Sequence, residues 1–131
     1  MRGADLLTET RFNPAAIERE IAAALKTLPD RRTDTVRNLR RDFSRRLKVA
    51  PAKPVVQLGY YLREGDKPDY RFLAYELIAH HKAALGSVGS VELERLGRGI
   101  GSWESVDTFG IYLSGPVWRE RQVPDSLIHR W

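Results

Sequence analysis

The stretch YRFLAYELIAHHKAALG, residues 70–86, has the clearest pattern in this 131-residue chain. Its apolar residues recur every three or four positions, which places them on one face of an α-helix. Gly86 is a typical C-terminal cap, so the pattern predicts one helix over 68–85 that faces a protein core. The residues of that face are Tyr70, Leu73, Ala74, Leu77, Ile78, His81, Ala84 and Leu85.

Two adjacent histidines lie near the end of this predicted helix. His81 falls on the apolar face and His80 lies beside it. Neighbouring helical residues point about 100° apart, so the two side chains form a poor chelate for one metal ion. We therefore predict that His81 is a hydrogen-bonded core histidine, and we predict neither a metal site nor a cofactor.

Helical spacing extends to both sides of this stretch, and no segment alternates with the period of a strand. Asn13 and Pro14 are typical of a helix start, and Gly59 permits the close approach of a neighbouring helix. Gly115 and Pro116 predict an end to the helix that begins near Trp103, with 117–123 as a connector and a last helix from Pro124. The predicted helices form three pairs, 14–28/33–49, 52–64/68–85 and 91–99/103–114.

The starts of these pairs are spaced by roughly forty residues, which is the period of HEAT-type α–α repeats. The layout therefore predicts an all-α, HEAT-like superhelix of about six to seven helices. At this length one domain over 1–131 is expected. The chain has no cysteine, which excludes disulfides and thiolate metal sites. The first twelve residues lack the apolar core of a signal peptide, and no stretch has the length of a membrane span, so we expect a soluble cytoplasmic protein.

The net charge of +5 is unevenly distributed. Residues 1–65 carry +6 and residues 66–131 carry −1, which indicates a polyanionic partner for the first half. The second predicted helix places four basic residues opposite its apolar stripe of Val36, Leu39, Phe43 and Leu47. A solvated outer face is the ordinary interpretation, but a one-sided excess of guanidinium groups also suits phosphate binding. These candidate DNA-binding residues are Arg37, Arg41, Arg45 and Lys48.

The segment SWESVDTFGIYLSG, residues 102–115, adds a candidate site. As a helix it places Trp103, Val106, Gly110 and Leu113 on one stripe, with Asp107 next to Trp103 on the surface. A carboxylate at the edge of an apolar stripe is costly without a partner. The sequence leaves open whether Asp107 is a solvated or capping residue or part of a site.

Three segments carry a resemblance to a known family: YRFLAYELIAHHK, LGRGIGSWESVDTFGIYLSG and the tail VPDSLIHRW. Together they resemble the DNA alkylation repair enzymes built from HEAT-like repeats, the AlkD-like DNA glycosylases. The resemblance covers roughly residues 50–131. It implies an α–α superhelix that binds double-stranded DNA and hydrolyses the N-glycosidic bond of cationic alkylated purines.

The resemblance also implies an active site that contains Trp103 and Asp107. A carboxylate near the anomeric carbon would stabilise positive charge on the sugar, and the indole face would favour the same charge. The family continues through further helices that supply an arginine and a second tryptophan, for which this chain has no match. We therefore expect excision to be weak or absent, and apolar surface around Leu127, Ile128 and Trp131 to form a homodimer or to bind a partner. The alternative hypothesis is a non-catalytic HEAT-repeat scaffold that binds a protein.

Overall fold

Helices α3 (Ala52–Glu64) and α4 (Pro68–Ala79) pack against each other at the centre of the fold. The computed structural model describes residues 12–65, 67–100 and 103–129, without the side chains of 103–105 and 129. A Cβ atom on Gly59 of α3 would lie 2.6 Å from Cδ1 of Ile78 on α4. Because glycine lacks that atom, the two helices approach closely, as the sequence predicts.

The other helices extend this central pair into two rows. In the first row, α3 packs against α1 (Pro14–Thr27) and α6 (Ser90–Gly97). In the second row, α4 packs against α2 (Thr33–Leu47) and α7 (Trp103–Phe109). A π-helical turn over Gly110–Ser114 follows α7 and also contacts α4. The described residues contain no strand, and the all-α, HEAT-like arrangement of stacked helices is confirmed. The remaining helices are α5 (Lys82–Ser87), α8 (Gly115–Arg119) and α9 (Asp125–His129).

The start of α1 follows the local rules that predict it. Asn13 accepts a hydrogen bond from the backbone N–H of Ala16 at 3.1 Å, and Pro14 occupies the first turn, where its missing N–H costs nothing. The predicted bounds of α2 and α3 also agree with the structure to within two residues. These helices end where proline or glycine stops the apolar periodicity.

One predicted helix is two helices in the structure. The prediction of a single helix over 68–85 capped by Gly86 is wrong, because α4 ends at Ala79 and α5 begins at Lys82. His81 has extended backbone (φ −123°, ψ 104°) and caps α5, with its Nδ1 accepting from the N–H of Ala84 at 3.0 Å. Its Nε2 lies 2.9 Å from the carbonyl oxygen of Ala50. These two bonds hold the break, and they confirm His81 as a buried, hydrogen-bonded core residue.

The prediction that Gly115 and Pro116 end the Trp103 helix is also wrong. The backbone stays helical from α7 through the π-helical turn into α8, and the N–H of Gly115 donates to the carbonyl oxygen of Gly110. A Cβ on Gly115 would lie 2.6 Å from that oxygen, so glycine makes the turn possible. Pro116 is tolerated because it falls in the first turn of α8.

The π-helical turn also changes which residues of this segment face the core. The buried stripe is Phe109, Leu113 and Val117, whereas Val106 is 45% exposed. Of the predicted stripe, Leu113 is buried as predicted, whereas Val106 is exposed and Gly110 is only partly buried, because a π turn advances the helix by one extra residue. The side chain of Trp103 lies outside the described residues. The predicted last helix is present as α9, but its Leu127 is buried rather than open to solvent.

No helix within the described ranges has both the length and the apolar character needed to cross a membrane. The hydrophobic core lies between the two rows of helices and is formed mainly by aliphatic side chains. Its largest fully buried members include Leu58, Leu62, Leu77, Ile78 and Leu113.

Candidate nucleic-acid interface

The exposed side of α2 carries three of the four basic residues that the sequence selects. Arg41, Arg45 and Lys48 are all exposed. Arg41 donates to Oδ1 of Asn38 at 3.0 Å, and Arg45 forms an ion pair of 3.2 Å with Asp42 on the same helix. An exposed ion pair of this kind contributes little and is readily exchanged. The three cations therefore remain available to an anionic partner.

These residues line a cleft of about 970 Å³ between α2 and the junction of α4 with α5. The opposite wall is formed by the segment that connects the two helices, so the break at His81 creates this wall. Among the residues that the structure describes, no carboxylate belongs to the lining, although the chain as a whole is mixed in charge. The lining residues are Arg40, Arg41, Ser44, Arg45, Lys48, His80, His81, Lys82 and Ala83.

Arg37, the fourth basic residue that the sequence selects, lies apart from this cleft. Its Nε and Nη2 atoms donate to Oε2 of Glu76 at 3.1 and 3.0 Å, and its guanidinium lies over the ring of Phe72. These hydrogen bonds raise the pKa of Arg37 above its ordinary value. The side chain is 33% exposed. Arg37 therefore differs from Arg41, Arg45 and Lys48, because it is paired with Glu76 and does not line the cleft.

Glu76 is the centre of a buried ionic triad, defined here as Arg37, Glu76 and Arg40. Glu76 is fully buried in α4, and its Oε1 accepts from Nε of Arg40 at 2.9 Å. A buried carboxylate requires paired charges and hydrogen bonds, and here each of its oxygens has a guanidinium. Arg40 is itself buried, so the triad links α2 to α4 below the cleft.

Part of this triad is visible in the sequence, although the sequence analysis above does not predict it. Glu76 stands inside the apolar run FLAYELIA, where an ionised side chain has to find a partner. Helical periodicity places Arg40 next to the apolar stripe of α2, because it is one residue from Leu39 and three from Phe43. The pairing of Arg40 with Glu76 depends on how α2 packs against α4, and the periodicity of a single helix does not predict that packing.

The polar contacts continue from the triad to the π-helical turn. Nη2 of Arg37 lies 3.5 Å from the hydroxyl oxygen of Tyr112, and the ring of Tyr112 lies 6.2 Å from that of His80. Partial burial, followed by the nearby charge of Arg40, holds the pKa of His80 below its usual 6.5. The second row therefore carries a connected group of polar side chains from α2 through α4 to Tyr112.

The two residues that the family resemblance selects lie on α7. Asp107 is exposed and does not belong to the lining of the basic cleft. The backbone of Trp103 is helical, and its side chain lies outside the described residues. The predicted contact between Trp103 and Asp107 therefore stays a prediction. Both residues are on the second row, the row to which the basic helix also belongs.

Within the described ranges, no group of three or more histidine, aspartate or glutamate side chains is arranged to hold a metal ion. The site is thus a cationic cleft above a buried ionic triad, with an exposed carboxylate further along the same row. An arrangement of this kind can bind phosphate groups electrostatically. No family model, no curated protein and no solved structure matches this chain significantly.

Proposed function

We propose that this protein binds double-stranded DNA by its phosphate backbone, through the cleft between α2 and the α4–α5 junction. The observation that supports the proposal most strongly is the charge of the lining, in which the described residues contribute five arginine and lysine side chains and no carboxylate. Guanidinium and ammonium groups of one sign on one surface suit the regular charges of a duplex. A merely solvated surface ordinarily mixes both signs.

The expected binding is independent of sequence. In this proposal the cations of the cleft contact phosphates, and phosphate contacts position a protein without reading bases. Arginine and lysine can also read guanine in a groove, whereas adenine is read by asparagine or glutamine amides. The described part of the lining contains no amide side chain, and Ser44 is the only hydroxyl within it.

The test is the salt dependence of duplex binding in the double variant Arg41→Ala, Arg45→Ala. Each lost phosphate contact lowers the slope of log K against log salt by ~0.9, so the double variant should lose about 1.8. A matched control is Arg19→Ala, Lys26→Ala, which removes the same charge from exposed positions on α1 in the first row. Equal loss of slope in the two variants would contradict binding at the cleft.

The finer proposal concerns excision of alkylated purines, with Asp107 as the carboxylate that stabilises charge on the sugar. Asp107 is exposed, and water weakens the effect of a carboxylate on a developing cation. We therefore expect turnover to be weak. Asp107→Asn should abolish any release of alkylated purine and change the free energy of unfolding by less than ~0.5 kcal/mol, as is usual for exposed sites.

A base-release assay beside a thermal melt separates these effects. Residual release that survives in Asp107→Asn would remove this carboxylate from the reaction. Robust release by the wild-type chain would show that exposure of Asp107 does not limit the chemistry. Duplex affinity serves as the internal control, because Asp107 does not line the cleft.

A second candidate function is that of a HEAT-like scaffold that binds a protein or a second copy of itself. It is supported by exposed apolar side chains near the C-terminal end of the described residues, with Ile111 68% and Trp118 43% exposed. A groove of about 600 Å³ lies nearby, lined in part by Ile100, Val106 and Ile128. Exposed apolar patches tend to be covered by a partner. Light scattering at high micromolar concentration tests the homodimer, and a stable monomer would contradict it.

A further inference from the structure

The floor of the basic cleft contains a buried guanidinium that is only partly satisfied. Arg40 is 7% exposed and lines the cleft. Its Nε donates to Glu76, and its Nη1 reaches Oγ of Ser44 at a long 3.4 Å. Its Nη2 has no hydrogen-bond partner within the described residues. This atom is not fully enclosed, so it keeps some accessible surface. Buried donors are normally used, so Nη2 is a candidate ligand for an anion that enters the cleft.

His80 stands on the opposite wall of the same cleft. Its ring is tilted by 46° against that of Tyr112, and neither ring nitrogen has a hydrogen-bond partner in the described part of the chain. The next residues, His81 and Lys82, also line the cleft. The charged and titratable groups that influence the imidazole from the neighbouring elements are Arg37, Arg40 and Arg41 of α2, Glu76 of α4, and Tyr112 of the π-helical turn.

We propose that Arg40 and His80 form a phosphate-binding subsite, in which one phosphodiester group of DNA lies between the guanidinium and the imidazole and His80 takes up a proton on binding. The proton comes from solvent and binds to the unprotonated ring nitrogen, and the phosphodiester keeps its single negative charge. The inference rests on the proposed function, since it names the group of the DNA that occupies the cleft. The proposed subsite also explains why the guanidinium of Arg40 lies below the exposed cations of the cleft.

The electrostatics of the free cleft favour this coupling. Partial burial and the charges of Arg40, Arg37 and Arg41 lower the pKa of His80, and Glu76 opposes them only in part. A bound phosphate brings the missing negative charge to the same place, and it accepts a hydrogen bond that is stronger from an imidazolium than from a neutral ring. Binding and protonation therefore favour each other. The affinity for DNA must rise as the pH falls through the pKa of His80 in the complex.

The experiment measures duplex affinity against salt concentration at about pH 7.5 and about pH 5.5. One additional cation in contact with a phosphate steepens the slope of log K against log salt by ~0.9. We expect this steeper slope at the lower pH in the wild-type protein, together with tighter binding. In His80→Gln, which changes an exposed residue, the two slopes should be equal. Circular dichroism at both pH values confirms that the compared samples are folded.

The matched control is His129→Gln, since this chain has three histidines and the backbone of His129 lies at the end of α9 rather than at the α4–α5 junction. It should keep the wild-type difference between the two slopes. If the difference persists in His80→Gln, or if the wild-type protein has none, the proposed subsite is wrong. Loss of the difference in both histidine variants would also contradict it, because the effect would then not belong to the cleft.

A second measurement separates failure of the subsite from failure of DNA binding. Sulfate has the tetrahedral shape of a phosphate group, carries two negative charges and does not titrate in this pH range. Sodium sulfate, added at about pH 5.5, should shift the NMR signal of the His80 imidazole in a saturable way, with sodium chloride at equal ionic strength as the control. A saturable shift without duplex binding would retain the anion subsite and reject the proposed function. No saturable shift would reject the subsite, whether or not DNA binds.

Discussion

Two regions of α2 contain the same kind of side chain in opposite circumstances. Arg37 and Arg40 point to the buried carboxylate of Glu76, whereas Arg41 and Arg45 lie on the open cleft one turn further along. In the first region each guanidinium has a carboxylate partner at hydrogen-bond distance. In the second, the nearest partners are Asn38 and the exposed Asp42 on the same helix.

The comparison shows that the partner of an arginine decides its role more than its place on a helical wheel. A buried guanidinium and a buried carboxylate hold each other and belong to the stability of the fold. An exposed guanidinium keeps its hydration and can exchange water for a phosphate. One helix thus contributes to both the fold and the candidate interface. Arg40 lies at the division between them, because it pairs with Glu76 and also lines the cleft.

The largest expected effect is on the free energy of unfolding and comes from Glu76→Gln. The amide keeps the shape of the side chain but leaves two guanidinium groups without a counter-charge, one of them buried. Removing one partner of a buried pair ordinarily costs about 3–5 kcal/mol. Denaturant unfolding measures the loss. The matched control, Asp42→Asn, removes the partner of exposed Arg45 and should cost less than ~1 kcal/mol. Similar losses in the two variants would contradict the distinction.

The second effect is smaller and compares Arg37→Ala with Arg41→Ala. Arg37→Ala should lower the free energy of unfolding by ~1–3 kcal/mol, since Glu76 loses one of its two partners, and should leave the salt slope of DNA binding unchanged. Arg41→Ala should change stability by less than ~0.5 kcal/mol and lower the slope by ~0.9. Both variants lose one positive charge, so each is the control of the other. A lower slope in Arg37→Ala would instead place Arg37 among the DNA contacts, as the sequence predicts.

The smallest effect concerns pH and His80. The pKa of His80 is lower in the folded protein than in the unfolded chain, so the unfolded chain binds more protons between the two values. The free energy of unfolding should therefore fall as the pH decreases from about 6.5 towards the folded-state pKa. Below that pKa, His80 causes no further change with pH, because it is protonated in both states. Urea unfolding of the wild-type protein and His80→Gln over this window measures the difference. Because the residue is exposed, the difference should be small, and a steeper fall in His80→Gln would contradict the direction.

Much of the fold follows from local patterns in the sequence. The caps at Asn13 and Pro14, the proline that precedes α3 and the close approach at Gly59 each act over a few residues, so α1 to α3 are predicted almost to their ends. The exposed side of α2 is predicted as well, since a helical wheel places Arg41, Arg45 and Lys48 away from the apolar stripe. These features depend on one helix at a time.

The rest depends on contacts between distant segments. The break before α5 requires the carbonyl oxygen of Ala50 to meet His81, and a continuous apolar pattern hides it because both helices face the same core. The π-helical turn shifts the buried stripe towards Val117, which a regular spacing of 3.6 residues cannot show. The burial of Glu76 depends on α2 and α4 lying side by side. For this reason the basic face was predictable, while the triad and the second wall of the cleft were not.

The π-helical turn at Gly110–Ser114 has a consequence for how this row could vary between homologous chains. It acts as a one-residue insertion inside an otherwise continuous helix, and so it sets the azimuth of Asp107 independently of Leu113 and Val117, which are fixed in the core. Deleting one residue there would restore regular helical spacing and rotate the surface of α7 by about 100° relative to the core. A single-codon deletion would thus redirect the exposed carboxylate of Asp107, and it would also turn the buried side chain of Phe109, on the same helix, away from the core.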